Sequence, residues 1–471
     1  MNQAESLSAR IGRARRFLAM AINGTEKEFT SGSIRRALFL LSVPMVLEMV
    51  MESLFAVVDI YFVGKVSVNA LATVALTESI MFLVYAIAVG LSMATTAMVS
   101  RRVGEKDYEE ASKAAAQALF IALGFSALVS IAGLFFAKDI LRLMGGDETL
   151  IAEGAGYAMW MLGGNITIML IFLNNAIFRG AGDASIAMRV LWVSNAINIV
   201  LDPCLIFGYG PFPEMGVTGA AVATNIGRGV GVIWQLWILF RGNGMIVILR
   251  RHLVMNLELM WRLLKVSFGG MSQFLIGSAS WTFMVRVISI FGSEALAGYT
   301  VAFRIIVFTI LPSWGLANAA ATLVGQNLGA KQPDRAEQSV WQAAFYNMLF
   351  LLFISIVFFT NASFFVGLFS TEPEVMRYGV MSLKIICAGY IFFAYEMVIS
   401  QAFNGAGDTR TPTLINLFGY WVVQIPLAYA LAVWLDWGPV GVFIAISLTL
   451  VLLTAINVWV FRKGNWKNTE I

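Results

Sequence analysis

The chain has one histidine, two cysteines and few charged residues, and each scarcity closes off a class of function. His252 stands in a basic stretch, Arg250-Arg251-His252, so a metal site built on histidines is excluded. Cys204 and Cys387 lie in separate apolar segments with no spacing that pairs them; both read as buried, reduced thiols. Only 13% of the residues are charged while 59% are hydrophobic, and soluble domains carry about 25% charge. The chain is therefore expected to be an all-α polytopic membrane protein. It lacks a GxxxxGK[ST] loop, so it carries no P-loop ATPase of its own. It also lacks DDxxD, HExxH and Ser–His arrangements, which argues against an integral membrane enzyme. The net charge of +4 does not point to nucleic acid once the basic residues are located.

What the chain does have is long apolar runs. About 20 apolar residues cross a bilayer. Twelve spans are read, at 37–64, 69–98, 114–137, 153–178, 187–208, 216–240, 263–290, 295–326, 337–360, 377–403, 411–435 and 439–461. Residues 245–264 are amphipathic, and the expectation there is a surface helix joining two halves. With the N-terminus in the cytoplasm, cytoplasmic segments hold 24 of the Lys and Arg residues and external loops hold four. By the positive-inside rule both ends face the cytoplasm. The expected layout is a basic N-terminal tail (1–36), an N-lobe (37–241), an amphipathic linker (242–262), a C-lobe (263–461) and a C-terminal tail (462–471). The N-terminal tail has no long apolar core and does not read as a cleaved signal peptide. RIGRARRF (10–17) reads either as a basic segment on anionic lipid or as a disordered tail.

The two halves repeat. At an offset of 225 residues, FRGAGD (178–183) meets FNGAGD (403–408), Ala70 meets Ala295, Gly104 meets Gly329, and Ser42 meets Ser267. Late in each half the offset drifts, and Gly216 meets Gly438. Six spans per half is an even number, so the halves are parallel repeats about an axis along the membrane normal. Two six-helix bundles around a central cavity are expected. The glycine-rich GAGD stretches read as tight connections between spans.

Acids gather in the first half. Glu48, Glu52 and Asp59 fall within about 40° on one helical face. Each charge at bilayer depth costs roughly 2.5–3.5 kcal/mol, so three stacked acids must face a polar cavity, bind cations or carry protons. Span 5 places Asn198 and Asp202 one turn apart, with Pro203 loosening the backbone beside them. Span 4 adds Asn165, Asn174, Asn175 and Tyr157; span 6 adds Thr224, Asn225 and Arg228; span 2 adds Glu78. Arg228 is expected to pair with an acid. At the repeat offset, Glu48 meets Gln273, Glu52 meets Gly277 and Asp59 meets Met284. The second half carries Arg286, Arg304, Lys384 and Glu396 instead, with Glu396 and Arg304 a possible pair. A coupling-ion site is therefore expected in the N-lobe. Met45, Met49, Met51, Phe55 and Phe62 are candidate linings of a cavity for amphipathic cations.

VPMVLEMVMESLFAVVDIYFVG (43–64), NALATVALTE (69–78), FRGAGD, NIVLDP (198–203), GVTGAAVAT (216–224) and FNGAGD together resemble the multidrug and toxic compound extrusion (MATE) family, over about residues 31–463. Asp59 with Asn198 and Asp202 resembles its DinF-like branch. The resemblance implies a secondary antiporter that exports cationic or amphipathic compounds in exchange for H⁺ or Na⁺ by alternating access. It implies no cofactor beyond the coupling ion, a monomer, and the plasma (inner) membrane. Carried over, Asp59, Asn198, Asp202 and Thr224 would hold the proton or Na⁺, with Asn175 and Tyr157 adjoining and Glu52 as an added carboxyl. Glu48, Met49, Phe55, Phe62 and Tyr157 would face the substrate. Glu52 departs from the family pattern, which more usually has a neutral polar residue there. The alternative is a flippase for a lipid-linked oligosaccharide, whose cavity would need more cationic residues.

Overall fold

Long apolar runs fold into helices here because a bilayer offers the backbone no other hydrogen-bond partners. The computed structural model describes residues 7–24, 28–242 and 244–471, and all regular structure among them is helical. Residues 1–6 of the expected basic tail lie outside the described residues. A first helix, α1 (Leu7–Asn23), packs on α2 (Ile34–Val63). The N-lobe continues with α3 (Val68–Gly104), α4 (Tyr108–Leu143), α5 (Glu148–Gly163), α6 (Asn165–Gly180), α7 (Ala184–Phe207) and α8 (Val217–Arg241). The C-lobe comprises α9 (Leu257–Ser289), α10 (Ser293–Gly329), α11 (Pro333–Gly367), α12 (Pro373–Ala388), α13 (Tyr390–Ala406), α14 (Arg410–Asn416), α15 (Ile425–Tyr429) and α16 (Pro439–Arg462). Counting α5–α6 and α12–α13 as single broken spans, and residues 410–434 as one, gives twelve helical spans among the described residues, six in each lobe, ten of which are long and apolar enough by themselves to cross a bilayer. Ser67, Asp107, Asp147 and Asn256 cap the starts of α3, α4, α5 and α9 through their side chains.

The sequence repeat reappears as a repeat of backbone irregularities. Lys106 and Lys331 both adopt left-handed φ, at 62° and 57°. Gly182 and Gly407 match at 85° and 87°, and Gly216 and Gly438 at 56° and 59°. The break between α5 and α6 at Gly164 corresponds to the one between α12 and α13 at Gly389. Phe136 inside α4 and Asn361 inside α11 leave helical geometry together, with φ of −122° and −119°. The halves part at the eleventh crossing, where 417–424 and 430–434 widen into π-helix and the equivalent α7 stays α-helical through Pro203.

Each lobe has its own apolar core. A third cluster joins the first half of α2, from Ala37 to Met45, to α10, α11 and α13. The lobes also meet through α3 against α9, where Phe82 and Phe274 stack 4.8 Å apart. At Gly104 the helices approach so closely that a Cβ would fall on the Gln326 carbonyl. The α2 and Gly104 contacts lie toward the end carrying both tails, and the Phe82–Phe274 stack lies nearer the middle of the helices.

The expected surface helix over 245–264 is not formed. Ile246 and Ile248 are buried in the N-lobe core, and the Ile248 amide bonds to the Leu239 carbonyl at 2.7 Å. A short 3₁₀ turn, Arg250–His252, follows. His252 pairs with Glu109 at 2.8 Å, and Gln117 bonds Val254 and Asn256 at 2.9 Å each. Those side-chain bonds hold the stretch against α4, and α9 starts only at Leu257. Burial on the N-lobe overrides the local amphipathic pattern.

Candidate functional site

Two carboxylates inside the N-lobe have no hydrogen-bond donor. Asp202 on α7 is fully buried and both of its oxygens are unpartnered, as is Oδ1 of Asp59 on α2. The two aspartates lie within electrostatic range of each other, with Glu78 of α3 near Asp59. One turn before Asp202, the Asn198 amide donates to Thr224 Oγ1 of α8 at 3.0 Å, which leaves Asn198 Oδ1 without a donor. Oxygens of Asp59, Asp202 and Asn198 therefore stand as unsatisfied acceptors, a condition that buried polar groups rarely sustain. The set suits a proton or a hard cation that takes oxygen ligands. It relies on two aspartates and neutral oxygens, and among the described residues no cluster of three or more His, Cys, Asp or Glu forms a metal site.

The other acids on α2 are compensated. Glu48, 1% exposed, accepts from Asn175 Nδ2 and Arg179 Nη1, each at 3.0 Å. Glu52 accepts from Asn195 at 3.2 Å and pairs with Arg228 at 3.4 Å. Three carboxyls on one helical face thus divide into two glutamates that each pair with an arginine, Glu48 through Oε1 alone with Oε2 unpartnered, and one aspartate with no ion pair or hydrogen bond among the described residues. Arg228 pairs with an acid, as expected from the sequence. Asn175 is drawn away from Asp59: its carbonyl accepts from Gln235 at 2.5 Å while its amide holds Glu48.

A cavity of about 240 Å³ lies between the lobes. Glu48, Met49, Glu52, Arg179 and Arg228 line its N-lobe wall; Phe274, Trp314 and Gln401 line the other. A larger cavity of about 900 Å³ shares Phe274, Trp314 and Gln401 with it and runs into the C-lobe. Trp281, Tyr299, Phe303 and Tyr420 line this second chamber, along with Glu396. Glu396 is 5% exposed, and among the described residues it forms no ion pair with Arg304, which is exposed.

Five of the expected cavity residues are placed elsewhere: Met45 is buried in the apolar cluster joining α2 to the C-lobe, Met51 lines neither cavity, and three more lie off both. Phe62 packs on Tyr61 and Phe207, Tyr157 is buried in the N-lobe core beside Asp59, and Phe55 lies beneath Arg228. None of the three lines either cavity. A helical wheel shows which residues share a face but not which neighbour covers that face. The C-lobe aromatics were missed for the same reason. No local signal in the sequence sets them apart, because spans 9 and 10 are richer in Trp, Tyr and Phe than spans 7 and 8.

The MatE family model matches the chain twice, over residues 44–204 and 270–430, one match in each half of the repeat. A probable multidrug resistance protein NorM of Thermotoga maritima is 26% identical over 440 residues, covering 93% of this chain and 94% of that protein. The probable multidrug resistance protein YoeA of Bacillus subtilis is 27% identical, covering 92% and 95%. A solved outward-facing structure of a multidrug resistance MATE family transporter of the MOP superfamily superposes with a TM-score of 0.87. It is 25% identical and covers 94% of this chain and all of that one.

Proposed function

Since the chain belongs to the MatE family of membrane transporters, we propose that it is a secondary antiporter exporting cationic or amphipathic compounds in exchange for H⁺ or Na⁺. The observation that carries this reading is the group of buried acceptors without donors at Asp59, Asp202 and Asn198. A proton or Na⁺ entering there satisfies oxygens that the protein leaves bare. Neutralising Asp59 removes the charge from the outer half of α2, and helix α2 then repacks, with Pro44 as its weak point. At the end that bears the tails the lobes are joined through the first half of α2 and the close approach at Gly104. With both tails in the cytoplasm of a plasma-membrane monomer, this is the outward-facing state. Ion entry from outside, expulsion of substrate, and rocking of the two lobes complete the cycle.

The cavity walls favour a cationic cargo over a lipid-linked pyrophosphate. The two arginines on the smaller cavity are each engaged by a glutamate, and Arg286 and Arg304 line neither cavity. The test is transport of a lipophilic cation into proteoliposomes under a pH gradient or a Na⁺ gradient, applied separately. One gradient is expected to drive uptake by the wild type and to drive none by Asp59→Asn or Asp202→Asn at equal protein content. Wild-type rates in both variants would remove the ion-site assignment.

A further inference from the structure

Arg228 contacts Glu52 and lines the central cavity, and its own charge is only half engaged. Its side chain is 6% exposed, and Nη2 stands 3.4 Å from Glu52 Oε1. Charge-assisted pairs usually close to about 2.7–2.9 Å. Nη1 is buried without a hydrogen-bond partner. The guanidinium carbon lies 5.5 Å from the centroid of the Phe55 ring, which attracts it through the ring's negative face.

Glu52, Phe55 and Asp59 stand at i, i+3 and i+7 on α2. They form one stripe about 10 Å long, with a carboxylate at each end and an aromatic face between. Glu52 opens onto the cavity and its carboxylate is 25% exposed. At the other end Asp59 Oδ1 has no donor, and Arg228 lies within electrostatic range of it. The remaining groups facing this stripe are Tyr85, within electrostatic range of Arg228, and Glu78 on α3, Tyr157 on α5 and Asp202 on α7.

We propose that Arg228 is a built-in cation that occupies the place of the substrate's positive group at Glu52. An organic cation that reaches Glu52 displaces the guanidinium along the Phe55 face to Asp59, where it excludes the coupling ion. This inference rests on the reading of Asp59 as the ion site. The charge count explains the exclusion. Taking Asp202 and Glu78 as neutral, Glu52 and Asp59 together carry two negative charges; Arg228 and one further cation neutralise them. With substrate at Glu52, Arg228 serves Asp59. With H⁺ or Na⁺ at Asp59, Arg228 returns to Glu52 and evicts the substrate. Holding both at once leaves an uncompensated positive charge in a buried site, which is strongly disfavoured. One side chain thereby converts two separate sites into mutually exclusive ones, as exchange requires. Arg228 is a positioning and specificity residue in this scheme.

The test measures binding of tetraphenylphosphonium to the purified full chain, with the coupling ion present and absent. In the wild type the ion is expected to weaken probe binding about tenfold. Arg228→Gln frees Glu52, so the probe should bind about tenfold more tightly and the ion should no longer matter. Arg228→Lys keeps a positive charge and should restore the ion dependence. The neutral pair Glu52→Gln with Arg228→Gln buries no lone charge, so it guards against misfolding of the single variant; it should lose both tight binding and ion dependence. Wild-type affinity and ion dependence in Arg228→Gln, or in the neutral pair, would overturn the proposal. Asp59→Asn separates the two readings. Ion dependence that survives in Asp59→Asn overturns the ion site itself. Loss in Asp59→Asn with retention in Arg228→Gln overturns only the role of Arg228.

Discussion

Arg101 Nη2 lies 2.7 Å from the carbonyl oxygen of Thr469, 368 residues further along the chain, and so ties α3 of the N-lobe to the segment that follows α16 of the C-lobe. The same nitrogen reaches the Ala406 carbonyl at 3.4 Å. The segment is anchored on its own lobe, where Trp466 stacks on Phe461 at 4.7 Å and Lys467 bonds Glu337 at 2.6 Å. The bond to Glu337 raises the Lys467 pKa above its ordinary 10.5. The same bond holds the Glu337 carboxyl below its ordinary 4.5, so the contact is fully present between 4.5 and 10.5 and is lost as pH rises through the raised lysine value or falls through the depressed glutamate value. Arg101→Ala should weaken lobe closure at this end by about 1.5–3 kcal/mol, the range for a hydrogen bond to a charged group. Distances between spin labels on α3 and α16 should shift toward an open population, and an unchanged distribution would show that the tie is not limiting.

Closure also depends on the absence of a side chain at Gly104. A Cβ there would fall on the Gln326 carbonyl, and backbone cannot swing aside as a side chain does. Gly104→Val should hold the lobes apart and abolish transport while the protein still reaches the membrane. Reagents that label single cysteines near Gln326 should gain access in this variant and not in the wild type.

The hydroxyl of Thr224 offers a way to separate the two coupling ions. It accepts from the Asn198 amide and so fixes the side chain whose Oδ1 is left without a donor. A proton needs only a carboxylate, whereas Na⁺ needs several oxygens. Thr224→Val should reduce Na⁺-driven uptake about tenfold or more and leave H⁺-driven uptake within about threefold of wild type. Equal loss under both gradients would mean that the hydroxyl acts only in packing.

Outside the apolar region, Asp147 begins α5. Its Oδ1 accepts from the Leu150 amide at 2.8 Å and from Thr149 Oγ1 at 2.7 Å, and those bonds hold its carboxyl below the ordinary 3.8. A depressed acid gives support that is present above 3.8 and is lost as pH falls through the lower folded value. Asp147→Ala should lower the protection of the Leu150 amide, measured against the intrinsic exchange rate at each pH, and wild-type protection should fall to the variant's level only at more acidic pH.

Much of the architecture was legible because it rests on local periodicity. The apolar runs, the offset between FRGAGD and FNGAGD, and the basic loops suffice to place the helices and their symmetry. Even the paired breaks at Gly164 and Gly389 obey the same offset. The linker was misread because amphipathic spacing alone cannot tell a helix on a membrane from a strand of chain pinned by Glu109 and Gln117.

The division is sharpest on α2. The sequence by itself determined that Glu48, Glu52 and Asp59 share one face, since helix geometry sets that angle regardless of surroundings. Only the tertiary structure decided that they differ. Arg179 comes from α6 and Arg228 from α8, more than a hundred residues away. Each neutralises one glutamate, and neither is hydrogen-bonded to Asp59. A buried carboxylate takes its character from its neighbours, and only the packing of six helices brings those neighbours to it.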